Sequence, residues 1–232
     1  MALVKYGGGI TAMSGSIAGN TFARNRYCNY VRARTKPVNP RSYDQGRIRN
    51  AMSYLTTYWA QTLIDTERIA WNLYGSSVSM LNKLGEATFL SGYNQFLRSN
   101  VILKRIGIAP VKAGPTIFEL PEAAAPFTVA GDASDHKLTV GFDNTAEWAN
   151  EVGGYLHIFQ GTPQNTQRNF FAGPWRILDS IIGAVIPPAT PYVNTSPTFP
   201  LAEGQKVWIY GRIQRADGRL SQPFRASCTV SA

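Results

Sequence analysis

Apolar positions along this chain follow three different rhythms. Between residues 42 and 107 they recur at helical spacing: Ile48, Ala51, Met52, Leu55, Tyr58, Trp59 and Leu63 share one stripe. Ser42 with Gln45 has capping-box spacing, and Asp44 suits the positive end of a helix dipole, so a helix is predicted to start at Ser42. A second helix, capped by Asp65 or Thr66, carries Ile69, Ala70 and Leu73, is flanked by Trp71 and Tyr74, and stops at Gly75. A third runs from about Tyr93 to Arg105, with Phe96, Leu97, Val101 and Lys104 on one side, and ends at Gly107. Lys104 and Arg105 there suit the negative helix end.

Beyond residue 127 the period shortens to two. Leu138, Val140 and Phe142 alternate inward; residues 155–159 fit either parity; residues 170–182 are interrupted by Gly173-Pro174. Val207, Ile209, Gly211 and Ile213 alternate against Trp208, Tyr210 and Arg212, and Asp217-Gly218 signals a hairpin into residues 220–230. Short strands at this spacing predict an antiparallel β-sandwich of immunoglobulin or fibronectin type III kind over 127–232. Residues 108–126, with Pro110, Pro115, Pro121 and Pro126, read as a linker.

The third rhythm is that of residues 1–41. Residues 7–20 are rich in Gly, Ser and Ala, which suits a tether or a strand laid into a neighbour's groove. Then come Phe22, Arg24, Arg26, Tyr27, Tyr30, Arg32, Arg34 and Lys36 with no acid among them. An unbroken strand would put Phe22, Arg24, Arg26, Cys28, Tyr30, Arg32 and Arg34 on one face. A turn near Asn25 or Asn29 would make a hairpin instead and bring the arginine pairs together. Pro37 and Pro40 end the extended run. The fold class expected is α+β: an extended basic arm over 1–41, a helical domain over 42–107, the linker over 108–126 and the sandwich over 127–232.

Charge singles out the same segment. The 232 residues carry a net +9, yet residues 1–50 hold nine Lys/Arg against one acid, Asp44, leaving 14 bases and 13 acids for the rest. Such asymmetry points to a polyanion or an acidic protein surface as partner. The charged fraction, 16%, is low for a soluble domain and suits a β-rich protein that assembles. Cys28 and Cys228 form neither a disulfide framework nor a metal cluster; two unlinked thiols from a reducing cytoplasm are expected, with a bridge between them the alternative. The start of the chain lacks the apolar run of a signal peptide, and no stretch approaches the ~20 apolar residues of a membrane span.

Candidate chemistry elsewhere is sparse. His136 and His157 lie on separate elements without carboxylates at ligand spacing, and no nucleophile elbow, phosphate loop or dinucleotide fingerprint is present. Asp132, Asp135 and Asp143 flank one strand as solvated loop ends, with calcium as the alternative. No enzyme, cofactor or metal site is expected. In the arm, arginine forks and tyrosines suit phosphates and bases. They suit protein interfaces equally, and the scarcity of lysine favours an ordered interface over an electrostatic tail.

Gly19-Asn20, Phe22, Arg24-Asn25-Arg26-Tyr27, Tyr30-Val31-Arg32, Arg34-Thr35 and Pro37-Val38-Asn39-Pro40-Arg41, followed by Thr66-Glu67-Arg68 and Ala70-Trp71-Asn72, resemble poorly characterised proteins encoded by bacteriophages and prophages. The resemblance covers roughly residues 5–105, and Cys28 stands where that pattern has glycine. It implies a virion component with a helical N-terminal part and a variable β-domain, and no catalytic residue. The expectation is therefore a capsid, neck or tail component, made in the host bacterial cytoplasm and residing in the virion. It would be a homo-oligomer that binds copies of itself and other virion proteins through the arm, touches no membrane, and has packaged DNA as a further contact. The alternatives are a nucleic-acid-binding protein using the arm, and a carbohydrate-binding or adhesin module with Trp148, Trp175 or Trp208 as sugar platforms.

Overall fold

The computed structural model describes residues 2–25, 28–36, 38–82 and 84–232. The regular structure of the described residues is mostly β-sheet, with three helices. Four short strands come first: β1 (Ala2–Val4), β2 (Gly15–Ile17), β3 (Asn20–Arg24) and β4 (Asn29–Ala33). They form one antiparallel sheet in the order β1-β4-β3-β2. Residues 21–35 are thus not one extended strand. Asn25 reverses the chain: its N–H donates to the Cys28 carbonyl at 3.0 Å, and its side-chain oxygen accepts from the Cys28 N–H at 2.8 Å.

Helix α1 (Tyr43–Gln61) begins where the sequence predicts, with the Ser42 hydroxyl accepting from the Gln45 N–H at 3.4 Å. Helix α2 (Asp65–Ser77) departs from expectation at three points. Its cap position is Ile64, whose N–H donates to Glu67 at 3.1 Å, while Asp65 pairs with Arg68 instead. It runs past Gly75, which lies against the 90–92 backbone: a Cβ there would come 2.6 Å from the Leu90 carbonyl. Its buried face is Trp71 and Tyr74, not Ile69 and Leu73, which are 64% and 53% exposed. Helix α3 (Gly92–Arg105) causes the difference, because its Phe96 ring meets Trp71 edge-on at 5.6 Å. Lys104 stays outside over the Tyr54 ring, and Ile102 and Leu103 are buried instead. A hairpin of β5 (Ser79–Leu81) and β6 (Ala87–Phe89) joins the last two helices.

The C-terminal half is a β-sandwich. One sheet has the order β10-β9-β12-β13, from β9 (Tyr155–Gly161), β10 (Trp175–Ile182), β12 (Lys206–Gln214) and β13 (Phe224–Thr229). The other has the order β11-β8-β7, from β7 (Phe127–Asp132), β8 (Lys137–Phe142) and β11 (Tyr192–Asn194). Val140 and Phe142 meet Leu156, Ile158, Ile209 and Ile213 in one core between them. Strand β9 is buried at every position, because α3 covers its other side. There Ile102 packs on Phe159 and Leu220. That second cover is why the sequence of β9 reads in either parity.

Polar groups join the helices to the sandwich. Arg98 donates to the carbonyls of Leu220 at 2.6 Å and Ser221 at 2.7 Å. Residues 108–126 are strapped down: Asn100 accepts from the Val111 N–H at 2.7 Å, Trp71 donates to the Lys112 carbonyl at 2.8 Å, and Ala124 enters the sandwich core.

Candidate functional site

The register of the N-terminal sheet decides what its side chains can do. Thr21 stands opposite Arg32, Phe22 opposite Val31, Ala23 opposite Tyr30 and Arg24 opposite Asn29. Directly paired residues share a face, and neighbours along a strand alternate. One face therefore carries Phe22, Val31 and Arg24, joined by Ala2 and Val4 of β1. The opposite face carries Tyr30 and Arg32 with Thr21, Ala23 and Leu3, and the Ser16 and Thr21 hydroxyls bond across it at 2.9 Å. The single basic face expected of an unbroken strand is split in two, and Arg24 does not join Arg32. The reason is the turn: four residues between paired positions 24 and 29 place even-numbered residues of β3 with odd-numbered residues of β4. Arg34 continues the second parity, its N–H donating to the Gly19 carbonyl at 2.8 Å. Of the other expected arm residues, Lys36 is exposed, and Arg26 and Tyr27 lie outside the described residues.

This sheet has no core of its own. Among the described residues from 2 to 50 none is buried; Phe22, Tyr30 and Val31 are half-buried and Ile17 is 62% exposed. Arg24, Arg32, Arg34, Lys36 and Arg41 are exposed, and among the described residues no carboxylate pairs with any of them. The links to the body that the structure does show are polar. Lys5 pairs with Glu86 and lowers its carboxyl pKa by hydrogen bonding. Arg49 donates to the Asn39 side chain at 3.0 Å, while the ion pair of Arg176 with Asp44, at 3.5 Å, ties α1 to the sandwich. One half-exposed apolar face, one mixed face and five unmatched cations make this segment suited to a partner's surface.

Elsewhere several candidate polar groups are taken up by partners within the fold. His157 is fully buried, and its Nδ1 and Nε2 lie 2.8 Å and 2.9 Å from the Ser180 hydroxyl and the Gln214 amide oxygen. Gln214 in turn donates to the Ser99 carbonyl at 3.0 Å, so a polar chain crosses the sheet from β10 to α3. With the Gln214 oxygen accepting, Nε2 carries the hydrogen and Nδ1 accepts from Ser180. Burial pushes the His157 pKa down to about 4. Asp132 accepts from Ser134 and Asp135, which holds its pKa down at about 2, and Lys137 pairs with it; Asp143 accepts from Thr145. No cluster of metal-ligating side chains occurs among the described residues. Cys28 and Cys228 are both free thiols. Trp148 and Trp208 are 2% and 7% exposed, so neither is a sugar platform. Half-buried Trp175 packs edge-on against Phe171 and Tyr210, with Arg225 over its ring. No helix among the described residues is long and apolar enough to cross a membrane.

No protein-family model and no curated protein matches the chain. Among solved structures it is similar to a Fn3-like protein from Clostridium thermocellum, at 16% identity and a TM-score of 0.30, over 48% of this chain and 97% of that one. A likeness that distant carries no weight for function.

Proposed function

We propose that this chain is a bacteriophage virion structural protein that assembles through its Arg/Tyr-rich N-terminal segment onto neighbouring subunits. The observation that carries the proposal is the N-terminal sheet, with half-exposed Phe22 and Val31 on one face and Tyr30 on the other, unmatched arginines and no buried residue among those described. A four-stranded sheet without a core gains most of its stability by docking. The sequence resemblance supports the virion setting, and the low charged fraction suits a packed assembly. The three-plus-four sheet orders support a fibronectin type III kind of sandwich, which serves as the rigid outer body. In this reading Phe22 and Val31 seat one sheet face on the partner, Tyr30 and Arg32 serve the other, and Arg24, Arg34 and Lys36 meet carboxylates or carbonyls at the rim. Arg26 and Tyr27 belong to the same surface by sequence.

The proposal is tested by removing residues 1–41 and supplying the truncated protein to particles that lack the wild type. Loss of incorporation by a protein whose helices and sandwich stay folded is expected. Wild-type occupancy of the truncated protein would overturn the proposal.

A further inference from the structure

Helix α3 covers part of the outer face of the sheet β10-β9-β12-β13, and Tyr210 packs against the cluster that Ile102 makes there with Phe159 and Leu220. Tyr210 stands directly opposite Arg225 across β12 and β13. Arg212 follows on the same face of β12, with its guanidinium 6.0 Å from the centre of the Tyr210 ring. Arg225 leans back over Trp175, 5.6 Å from its ring, and Trp175 meets Tyr210 edge-on at 4.9 Å. Arg105 comes from above, one turn after Ile102 on the face of α3 that meets the sheet. Arg47 of α1 holds that helix end by donating to the Arg105 carbonyl at 2.5 Å.

These cations lack a counter-charge. Among the described residues no carboxylate pairs with Arg105, Arg212 or Arg225. The Nε atoms of Arg105 and Arg212 are out of contact with solvent and have no acceptor, and Arg225 donates only to the Phe171 carbonyl, at 3.5 Å. Asp44 acts on Arg105 but pairs with Arg176. Burial raises the Tyr210 pKa, and the charges that work against it, from Arg212, Arg105 and Arg225, are all positive. Burial also lowers the pKa of Arg212, and burial followed by the charge of Arg47 lowers that of Arg105. Like charges drawn together around a hydroxyl and partly withdrawn from water cost free energy that a bound anion offsets.

We infer that Arg105, Arg212, Arg225 and the Tyr210 hydroxyl bind a phosphate group, free or in the backbone of a nucleic acid. Guanidinium forks match the edges of an oxyanion bidentately, and the phenol adds an O–H donor. Three cations and a hydroxyl converging from two strands and a helix suit a tetrahedral dianion better than a planar, singly charged carboxylate. The site belongs to the helices and the sandwich, and it does not depend on assembly through the N-terminal segment.

Calorimetric titration of the full-length protein with inorganic phosphate tests it, against chloride at equal ionic strength. The wild type should show saturable binding, and Arg212→Gln with Arg225→Gln should weaken it about tenfold or more. Tyr210→Phe removes one O–H and should weaken binding severalfold at an unchanged melting temperature, which keeps the test open if the double variant does not fold. Arg24→Gln with Arg32→Gln in the N-terminal segment should leave the titration as it is. A labelled oligo(dT), read by fluorescence anisotropy, separates the two sources. Binding tighter than that of inorganic phosphate and lost in the same double variant assigns the site to a nucleic-acid backbone, and binding no tighter assigns it to free phosphate. No saturable phosphate binding by the wild type, equal binding by Tyr210→Phe and the double variant, or loss only in the N-terminal variant overturns the inference. Preference for oligoglutamate over both phosphate probes overturns it as well and gives the site to a carboxylate partner.

Discussion

Phe22 stands directly opposite Val31 on one face of the N-terminal sheet, and neither side chain is buried. Full burial of such a side chain contributes roughly 1.5–3 kcal/mol. Phe22→Ser and Val31→Ser should therefore each weaken assembly by about 10- to 100-fold. The melting temperature of the dissociated chain should hardly move, since these residues support no core. Unchanged assembly, measured by incorporation or sedimentation, would show that this face is not the docking face.

Arg98 ties α3 to the sandwich through two main-chain carbonyls, and burial lowers its pKa to about 10. Arg98→Met should leave both carbonyls without their donor and destabilise the chain by about 2–4 kcal/mol. Urea unfolding should then separate into two transitions, helices and sandwich. A single unshifted transition would mean that the apolar contact of Ile102 with Phe159 and Leu220 holds the parts together alone.

His157 should make stability fall in mild acid. Its folded pKa of about 4 lies below the ordinary 6.5 because burial disfavours the charged ring. The unfolded chain takes up a proton near 6.5 and the folded chain only near 4, so the contribution is complete above 6.5 and is lost as pH falls to 4. The loss is on the order of 3 kcal/mol. Urea midpoints between these pH values should show the slope, and His157→Gln should flatten it; an unchanged slope in the variant would assign it to carboxylates.

Much of the body was legible because its signals are local. The Ser42 cap sits where its spacing puts it, and Asp217-Gly218 makes the turn into the last strands, with Gly218 at φ +90°. What the sequence hid depends on long-range partners. Nothing in α2 says that Trp71 and Tyr74 will face α3 while Ile69 and Leu73 face out. The hairpin of β5 and β6 gave no signal, being two strands of three residues each. In the N-terminal segment the right residues were legible but not their faces, since one turn length decides whether Arg24 and Arg32 share a side.

Direct use of the segment on DNA has its own signature. Five arm cations on phosphates would give a log–log salt slope of roughly −3.5 to −4.5. The assembly account expects removal of residues 1–41 to change DNA retention less than twofold at about 150 mM salt. A steep slope that vanishes with the segment would shift its function to nucleic acid.

The most direct test of the central claim is a cryo-electron microscopy map of the protein in its assembled particle. The account predicts the sheet of residues 2–33 lodged against a neighbouring subunit, with the Phe22 and Val31 face covered. A map showing that sheet in solvent, with subunits joined only through helices or sandwich, would contradict it.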